Sequence, residues 1–345
     1  MRWKSELKIS VIIPVHNGGD NFRLCLRSIQ QSTRQPDELI VVEDGGTDDS
    51  GQVAESFGAK VIRYDSAGGP ARARNRGAQE ASGDILFFID ADVTVHADTI
   101  ARVEETFQQQ HDLDALIGSY DDEPGAKNFL SQYKNLFHHY THQVSSNQAS
   151  TFWGACGAIR RPVFQAVGGF DEGYRKPCIE DIELGYRLAQ AHHTIALCKG
   201  IQVKHLKHWG PVSLLKAEIF YRALPWTELL LKHQTLKADL NLSYENRISV
   251  VLVFALVLIL PAIGLFPALV FIVLALMLGL VLINWNVYRF FYDRRGLVFT
   301  LQVLPWHWLY FLYSGGAFTY GLLRHYLNHW HVASLPLPVE VYQSR

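Results

Sequence analysis

Gly83-Asp84-Ile85-Leu86-Phe87-Phe88-Ile89-Asp90-Ala91-Asp92 is the stretch whose reading decides the fold. Its centre is a short apolar, β-prone run entered through Ser82-Gly83-Asp84, the pattern of a buried strand. Two carboxylates, Asp90 and Asp92, then leave the carboxyl end of that strand. In open α/β sheets, ligands sit just beyond such strand ends. Two hard oxygen donors this close suit Mg²⁺ or Mn²⁺, and a cation held by one or two carboxylates commonly also holds a diphosphate. A solvated turn or a helix N-terminus uses the same residue types, so the pair must be read in context.

That context is an alternation of strands and helices. Residues 8–14 read as a first strand, ending in the loop Pro14-Val15-His16-Asn17-Gly18-Gly19 ahead of a helix carrying Leu24, Leu26 and Ile29. Leu39-Ile40-Val41-Val42 is a second strand, running into Glu43-Asp44-Gly45-Gly46-Thr47-Asp48-Asp49-Ser50. Lys60-Val61-Ile62-Arg63 is a third, and Ala67-Gly68-Gly69-Pro70 opens a helical segment with Arg72, Arg74 and Arg76. The layout is that of a nucleotide-binding α/β domain. Neither G-x-G-x-x-G nor G-x-x-x-x-G-K-[ST] is present, so a metal at Asp90 and Asp92 would do more of the phosphate binding.

At 345 residues the chain has room for about two domains. A formal net charge of −1 gives no electrostatic reason to expect a nucleic-acid partner. Cys25, Cys156, Cys178 and Cys198 have no metal-site or disulfide-framework spacing and read as reduced thiols. The mixed, charged N-terminus and the short apolar stretch after it do not form a secretory signal.

The composition changes after about residue 247. Residues 248–266 and 268–283 are almost wholly apolar and are punctuated by Pro261, Gly264 and Pro267. Two transmembrane helices joined by a tight turn are expected, with a buried soluble hairpin as the alternative. A third apolar, aromatic stretch, 297–323, contains Pro305, His307 and Gly315-Gly316; it either spans or lies in the interface. Arg289, Arg294 and Arg295 follow the second span, while the turn between the first two has no basic residue. The positive-inside rule therefore puts the Arg loop and the N-terminal domain in the cytoplasm. Residues 212–232 combine Leu214, Leu215, Ile219, Phe220 and Trp226 with Lys216, Arg222 and Lys232. Such a segment either lies on the membrane surface or packs on the soluble domain.

From Ile9 to about Trp209 the chain resembles the family 2 glycosyltransferases, which have the GT-A fold. Val11-Ile12-Ile13-Pro14-Val15-His16-Asn17 is similar to that family's opening strand and loop. Val41-Val42-Glu43-Asp44-Gly45-Gly46-Thr47-Asp48, Ala73-Arg74-Asn75-Arg76-Gly77 and the Gly83–Asp92 stretch follow in order. Then come Gly154-Ala155-Cys156-Gly157-Ala158-Ile159-Arg160-Arg161, Gly168-Gly169-Phe170-Asp171-Glu172 and Glu180-Asp181-Ile182-Glu183-Leu184. The ordered set carries more weight than any one motif.

The resemblance implies roles. Asp44 would hold the uracil of a UDP-sugar, with Pro14 and His16 near the nucleotide; a helix N-cap is the competing use of Asp44. Arg74 would reach a phosphate, although three arginines there also suit a solvated helix face. Asp90 and Ala91 would lie near the ribose and Asp92 on the metal. Asp181 would be the general base of a single, inverting displacement. The neighbouring Glu180 raises its pKa, and the pair also suits a helix N-terminus. Gly154-Ala155-Cys156 would wall the sugar site, and Trp153 would stack on a sugar or sit in the core. A histidine after the base would be a further metal ligand, His205 rather than His208, favouring Mn²⁺ over Mg²⁺. His138, His139 and His142 on a helix are expected to form an exposed or acceptor-side face rather than a second metal site.

Two departures matter. Glu43 and Gly46 stand where the family more often has Asp and Ser, and no Q-x-x-R-W stretch precedes the membrane region. The latter argues for one-sugar transfer rather than processive synthesis. The expectation is a GT-A domain over 1–210, interfacial connecting helices over 211–246, a transmembrane region of two or three helices over 247–325, and a tail over 326–345. The expected activity is inverting transfer from a nucleotide sugar, UDP-linked, to a hydroxyl or phosphate acceptor that is lipid, lipid-linked or glycan. The alternatives are a cell-envelope glycan transferase merely anchored to the membrane, and a non-catalytic membrane scaffold. A sugar-phosphate nucleotidyltransferase would need a basic Gly-rich loop after the first strand, which is missing.

Overall fold

A computed structural model describes residues 7–233 and 243–333. The extreme N-terminus, part of the expected connecting segment and the last 12 residues of the expected tail lie outside the described residues.

The strands are β1 (Ile9–Val15), β2 (Glu38–Asp44), β3 (Lys60–Tyr64), β4 (Ile85–Ile89), β5 (Val93–Val95), β6 (Ala115–Tyr120), β7 (Cys156–Arg160) and β8 (Ile195–His205). They form one sheet in the order β3-β2-β1-β4-β7-β6-β8-β5. β3, β2, β1 and β4 are mutually parallel, as are β6 and β8, while β7 runs antiparallel to both its neighbours and β5 antiparallel to β8. This is the expected mixed, mostly parallel sheet. Helices α1 (Gly19–Gln30), α2 (Ser50–Ser56), α3 (Pro70–Glu80), α4 (Thr99–Gln109), α5 (Phe129–Val144), α6 (Arg161–Ala166) and α7 (Glu180–Gln190) pack around it. Every residue of β4 is fully buried, which is why that strand reads as an unbroken apolar run.

Two registers position the site. β4 lies antiparallel to β7 with Ile89 opposite Cys156, so the chain just before Cys156 arrives beside Asp90. β5 lies antiparallel to β8 with Val93 opposite His205, so His205 arrives beside Asp92.

The C-terminal part comprises α8 (Pro211–Lys216), a π-helical turn (Ala217–Ala223), α9 (Leu224–His233), α10 (Tyr244–Ile259) with a 3₁₀ extension to Gly264, α11 (Leu269–Ile283) and α12 (Trp285–Ala333). Gly296, at φ +80°, breaks α12 near its start. Among the described residues one helix, Tyr244–Gly264, is long and apolar enough to cross a membrane. The second expected span is only 15 residues long, about 22 Å at 1.5 Å per residue, and falls short of a hydrocarbon core of about 30 Å. It meets the length test only together with α12, across a 69° bend. Val251, Leu258, Phe271, Leu274 and Leu278 point outward, as a lipid-facing surface would require.

α12 is not detached from the sheet domain. Tyr133, Leu136 and Phe137 of α5 form an apolar cluster with Tyr288, Phe291 and Val303. Arg295 donates to Gln132 Oε1 (2.9 Å) and to the Asp122 carbonyl (2.9 Å), and Arg294 pairs with Asp122. The 212–232 segment packs as well as exposing apolar surface: Leu214, Leu229 and Leu230 are buried, while Val212 and Phe220 face outward.

Candidate active site

Arg74, on α3, organises the end of β4. Its Nη2 lies 2.7 Å from Asp90 Oδ1 and its Nη1 2.8 Å from Glu180 Oε1. The guanidinium is nearly inaccessible, and burial acts against its charge; Asp90, Glu180 and Asp181 outweigh that and keep it protonated. Arg74 thus ties α3 to the strand end and to the first turn of α7. Gly154 has to be glycine, because a Cβ there would lie 2.8 Å from that guanidinium. The next residue of the same motif acts similarly: Asn75 donates to the Phe170 carbonyl (2.8 Å) and accepts from the Phe170 amide (2.8 Å).

Asp92 faces His205, with 3.6 Å between Oδ2 and Nε2. The other ring nitrogen, Nδ1, lies 2.7 Å from Asn135 Oδ1. Asn135 Nδ2 donates to the Ser131 carbonyl (2.9 Å), which turns its Oδ1 toward the histidine. His205 Nδ1 therefore carries a proton, and Nε2 is the nitrogen turned toward Asp92. The ring stacks on Tyr120, with centroids 4.5 Å apart. Burial acts to raise the Asp92 pKa, but His205 and Lys207 prevail and hold it at about 2. A carboxylate and a pre-oriented imidazole are a fitting donor pair for Mn²⁺ or Mg²⁺, with open positions left for phosphate oxygens and water. Among the described residues no third His, Cys, Asp or Glu completes a cage.

Asp181 opens α7, with Glu180 and Glu183 beside it in the first turn. Its Oδ2 accepts from the Gly154 amide (3.0 Å) and its Oδ1 from the Ile182 amide (2.8 Å). Burial, then the Glu180 charge, push its pKa up to about 6. A carboxyl poised there is suited to general-base work near neutrality. Burial similarly raises Asp90, against the Arg74 charge.

A family model described as glycosyl transferase family 2 matches residues 10–168, and one described as the N-terminal domain of galactosyltransferase matches 135–209. Residues 10–168 are a family 2 glycosyltransferase domain. Glycosyltransferase GlyG of Streptococcus pneumoniae is 35% identical over 121 residues, covering 34% of this chain and 40% of that protein. The O-antigen chain rhamnosyltransferase WbaN of Salmonella anatum is 23% identical over 235 residues, covering 64% of this chain and 74% of that one. The chain spans less than half the length of the first curated relatives it matches. S. aureus TarS 1–349 in complex with UDP-GlcNAc shares the GT-A fold, with a TM-score of 0.51 at 18% identity, over 65% of this chain and 64% of that one.

Asp90, Ala91, Asp92, Gly154, Glu180, Asp181 and His205 converge around the end of β4, whereas Pro14 and His16 lie one strand away at the end of β1 and Asp44 two strands away at the end of β2. His208 is exposed and outside the cluster. Arg74 does not lie on a solvated face; it is buried, and each of its terminal nitrogens pairs with a carboxylate. Asp44 caps no helix after Gly45-Gly46. It accepts from the Gly68 amide (2.9 Å), the Gly69 amide (2.7 Å) and Arg72 Nη2 (3.0 Å), so its lone pairs hold the turn into α3. The exposed His16 is oriented by the Asp44 carbonyl, 2.8 Å from its Nδ1.

Two of the three helix histidines are not exposed. His139 and His142 are buried, each bonded through Nδ1 to a β6 carbonyl, of Tyr120 and Gly118. Trp153 is a packed residue, edge-on to Tyr120 at 4.7 Å. Asn135 and Ser131 were not singled out by any sequence pattern. The only available signal was their one-turn spacing on the helix that carries the histidines.

Proposed function

We propose that the chain is an inverting glycosyltransferase that moves one sugar from a nucleotide sugar to an acceptor hydroxyl or phosphate at the membrane. The observation that carries this reading is the placement of Asp181, with its raised pKa, and the Asp92–His205 pair on either side of the Arg74 bridge. One end of the pocket thereby serves the donor diphosphate and the other the acceptor. Asp92 and His205 would hold Mn²⁺ or Mg²⁺, which when bound neutralises charge developing on the departing diphosphate. Asp181 takes the proton of the acceptor hydroxyl as its oxygen attacks the anomeric carbon from the face opposite the leaving group. The Gly154 amide orients that carboxylate, and Arg74 holds Glu180 in the buried bridge. A UDP donor is supported by the family resemblance, and its base would lie at the β1 and β2 loop ends near His16.

The helical region anchors this domain as a multi-pass unit, with catalysis on the cytoplasmic side. Arg294 and Arg295 reach the sheet domain, so the basic loop and that domain lie together, and the positive-inside rule assigns such a loop to the cytoplasm. The test is Mn²⁺-dependent hydrolysis of UDP-sugars by the wild type and by Asp181→Asn. Equal rates that ignore the metal would overturn the reading.

A further inference from the structure

A cavity of about 120 Å³ lies between α5, the π-helical turn, α9 and α12, outside the residues assigned above. Its polar wall holds Lys134, His138, Glu218, Arg222 and Trp226. Lys134 Nζ sits 2.7 Å from Glu218 Oε1 and Arg222 Nη1 4.0 Å from the same oxygen, while Tyr313 donates to Oε2 at 3.2 Å. One carboxylate thus faces two cations. Burial keeps His138 neutral, so it does not alter that balance. Among its own members the wall has two cations against one carboxylate; Asp181 is the next charge acting on Arg222, burial opposes the Lys134 charge, and a bound anion would favour both cations.

Two further features point to a ligand. His138 Nδ1 and Trp226 Nε1 are both buried, both on this wall, and both without a hydrogen-bond partner. Buried polar nitrogens are rarely left so. Glu218 and Arg222 are carried on a π-helical turn, a distortion that recurs at functional sites. The remaining wall is apolar and includes Phe137, Leu230 and Phe318. The cavity adjoins the catalytic end through a stack of rings. His138 lies 5.0 Å from Trp153 and 4.9 Å from Tyr120, and the amide after Trp153 is the one that holds Asp181.

We propose that this cavity is the acceptor subsite, and that it binds the phosphate head of a long-chain lipid whose apolar tail leaves past Phe137, Leu230 and Phe318. Arg222, Lys134, His138 and Trp226 contact the head. The assignment rests on the glycosyl-transfer reading and supplies the acceptor class that reading leaves open.

The test is equilibrium binding of radiolabelled farnesyl monophosphate to the full chain in nanodiscs, with empty nanodiscs subtracted. Saturable binding is expected, with farnesol and inorganic phosphate each competing at least about tenfold more weakly. Equal competition by farnesol would reduce the cavity to an apolar slot, and equal competition by inorganic phosphate would make it a free-anion site; either result overturns the proposal. Arg222→Gln and the ring-conserving Trp226→Phe should each weaken binding, the former by about tenfold or more. Glu218→Gln removes the carboxylate that competes for the two cations, and should tighten binding. Misfolding cannot mimic that gain, and unchanged or weaker binding in Glu218→Gln refutes the charge argument. UDP binding with Mn²⁺ to the wild type is measured in parallel. Its absence would sink the glycosyl-transfer reading, whereas its presence without farnesyl phosphate binding would sink this inference alone.

Discussion

Replacing Arg74 with methionine should unfold the catalytic end before it affects any substrate constant. The Arg74 side chain is 4% exposed and that of Glu180 5%, whereas that of Asp90 is 33% exposed. Removing one partner of a buried ion pair costs about 3–5 kcal/mol, because the other charge is stranded. Most of that falls on Glu180. Asp90 can turn toward water, and its share is nearer the value of about 0–1 kcal/mol for exposed pairs. A total loss of about 4 kcal/mol lowers the melting midpoint by roughly 8–16 °C in a domain of this size. Arg74→Lys keeps the charge but cannot span two carboxylates, so it should recover only part of the loss. Thermal unfolding of the full chain in detergent, alongside kcat and KM for the nucleotide sugar, separates the roles. A phosphate-binding arginine would raise KM and leave the midpoint within about 2 °C. That outcome for Arg74→Met would refute the bridge.

Asp181 is deprotonated above about pH 6, so kcat/KM should climb about tenfold per unit below that value and flatten above it. Asp181→Asn should cut the rate by about 10²–10⁴-fold and abolish the acidic limb; a retained limb in the variant's pH profile would move the base elsewhere. Asn135→Leu removes the acceptor that orients His205 and should weaken Mn²⁺ binding by about 10–100-fold, read by titration of the free protein with Mn²⁺. Unchanged affinity would exclude His205 as a ligand. Asp44→Ala strands the Gly68 and Gly69 amides at about 1–3 kcal/mol for a buried donor, so amide exchange should accelerate at those two positions and the melting midpoint should fall. Slow exchange there would show that the turn holds itself.

What could be read from the residues was local. Ile85–Ile89 announces itself because a strand covered on both faces has no polar alternation, and Asp90 and Asp92 are set by its end. Glu180-Asp181 is legible because carboxylates favour a helix N-terminus, whatever else they do. What stayed hidden depends on partners far along the chain. Arg74 and Glu180 are 106 residues apart, and nothing in the Arg72-Ala73-Arg74-Asn75-Arg76 segment tells which arginine turns inward. Asp44 satisfies a turn 24 residues later, a use that no short motif records. The burial of His139 and His142 stayed hidden for a different reason. A helix face made of Ser131, Asn135, His139 and His142 looks solvated by composition, but it is buried by hydrogen-bonding to strand carbonyls and to His205.

α5 has a consequence for how such a protein can be divided or recombined. Within two turns, Gln132 accepts from Arg295 of α12, Tyr133 and Phe137 sit in the apolar seam, Lys134 pairs with Glu218, and Asn135 orients His205. No cut placed after the last strand yields a free-standing catalytic half, because one side of α5 would be left as bare apolar surface. Grafting the sheet domain onto a foreign anchor would have to carry a matching lining for that helix. The helical region and the sheet domain are thus inherited as a single part, with α5 as the spindle on which both are mounted.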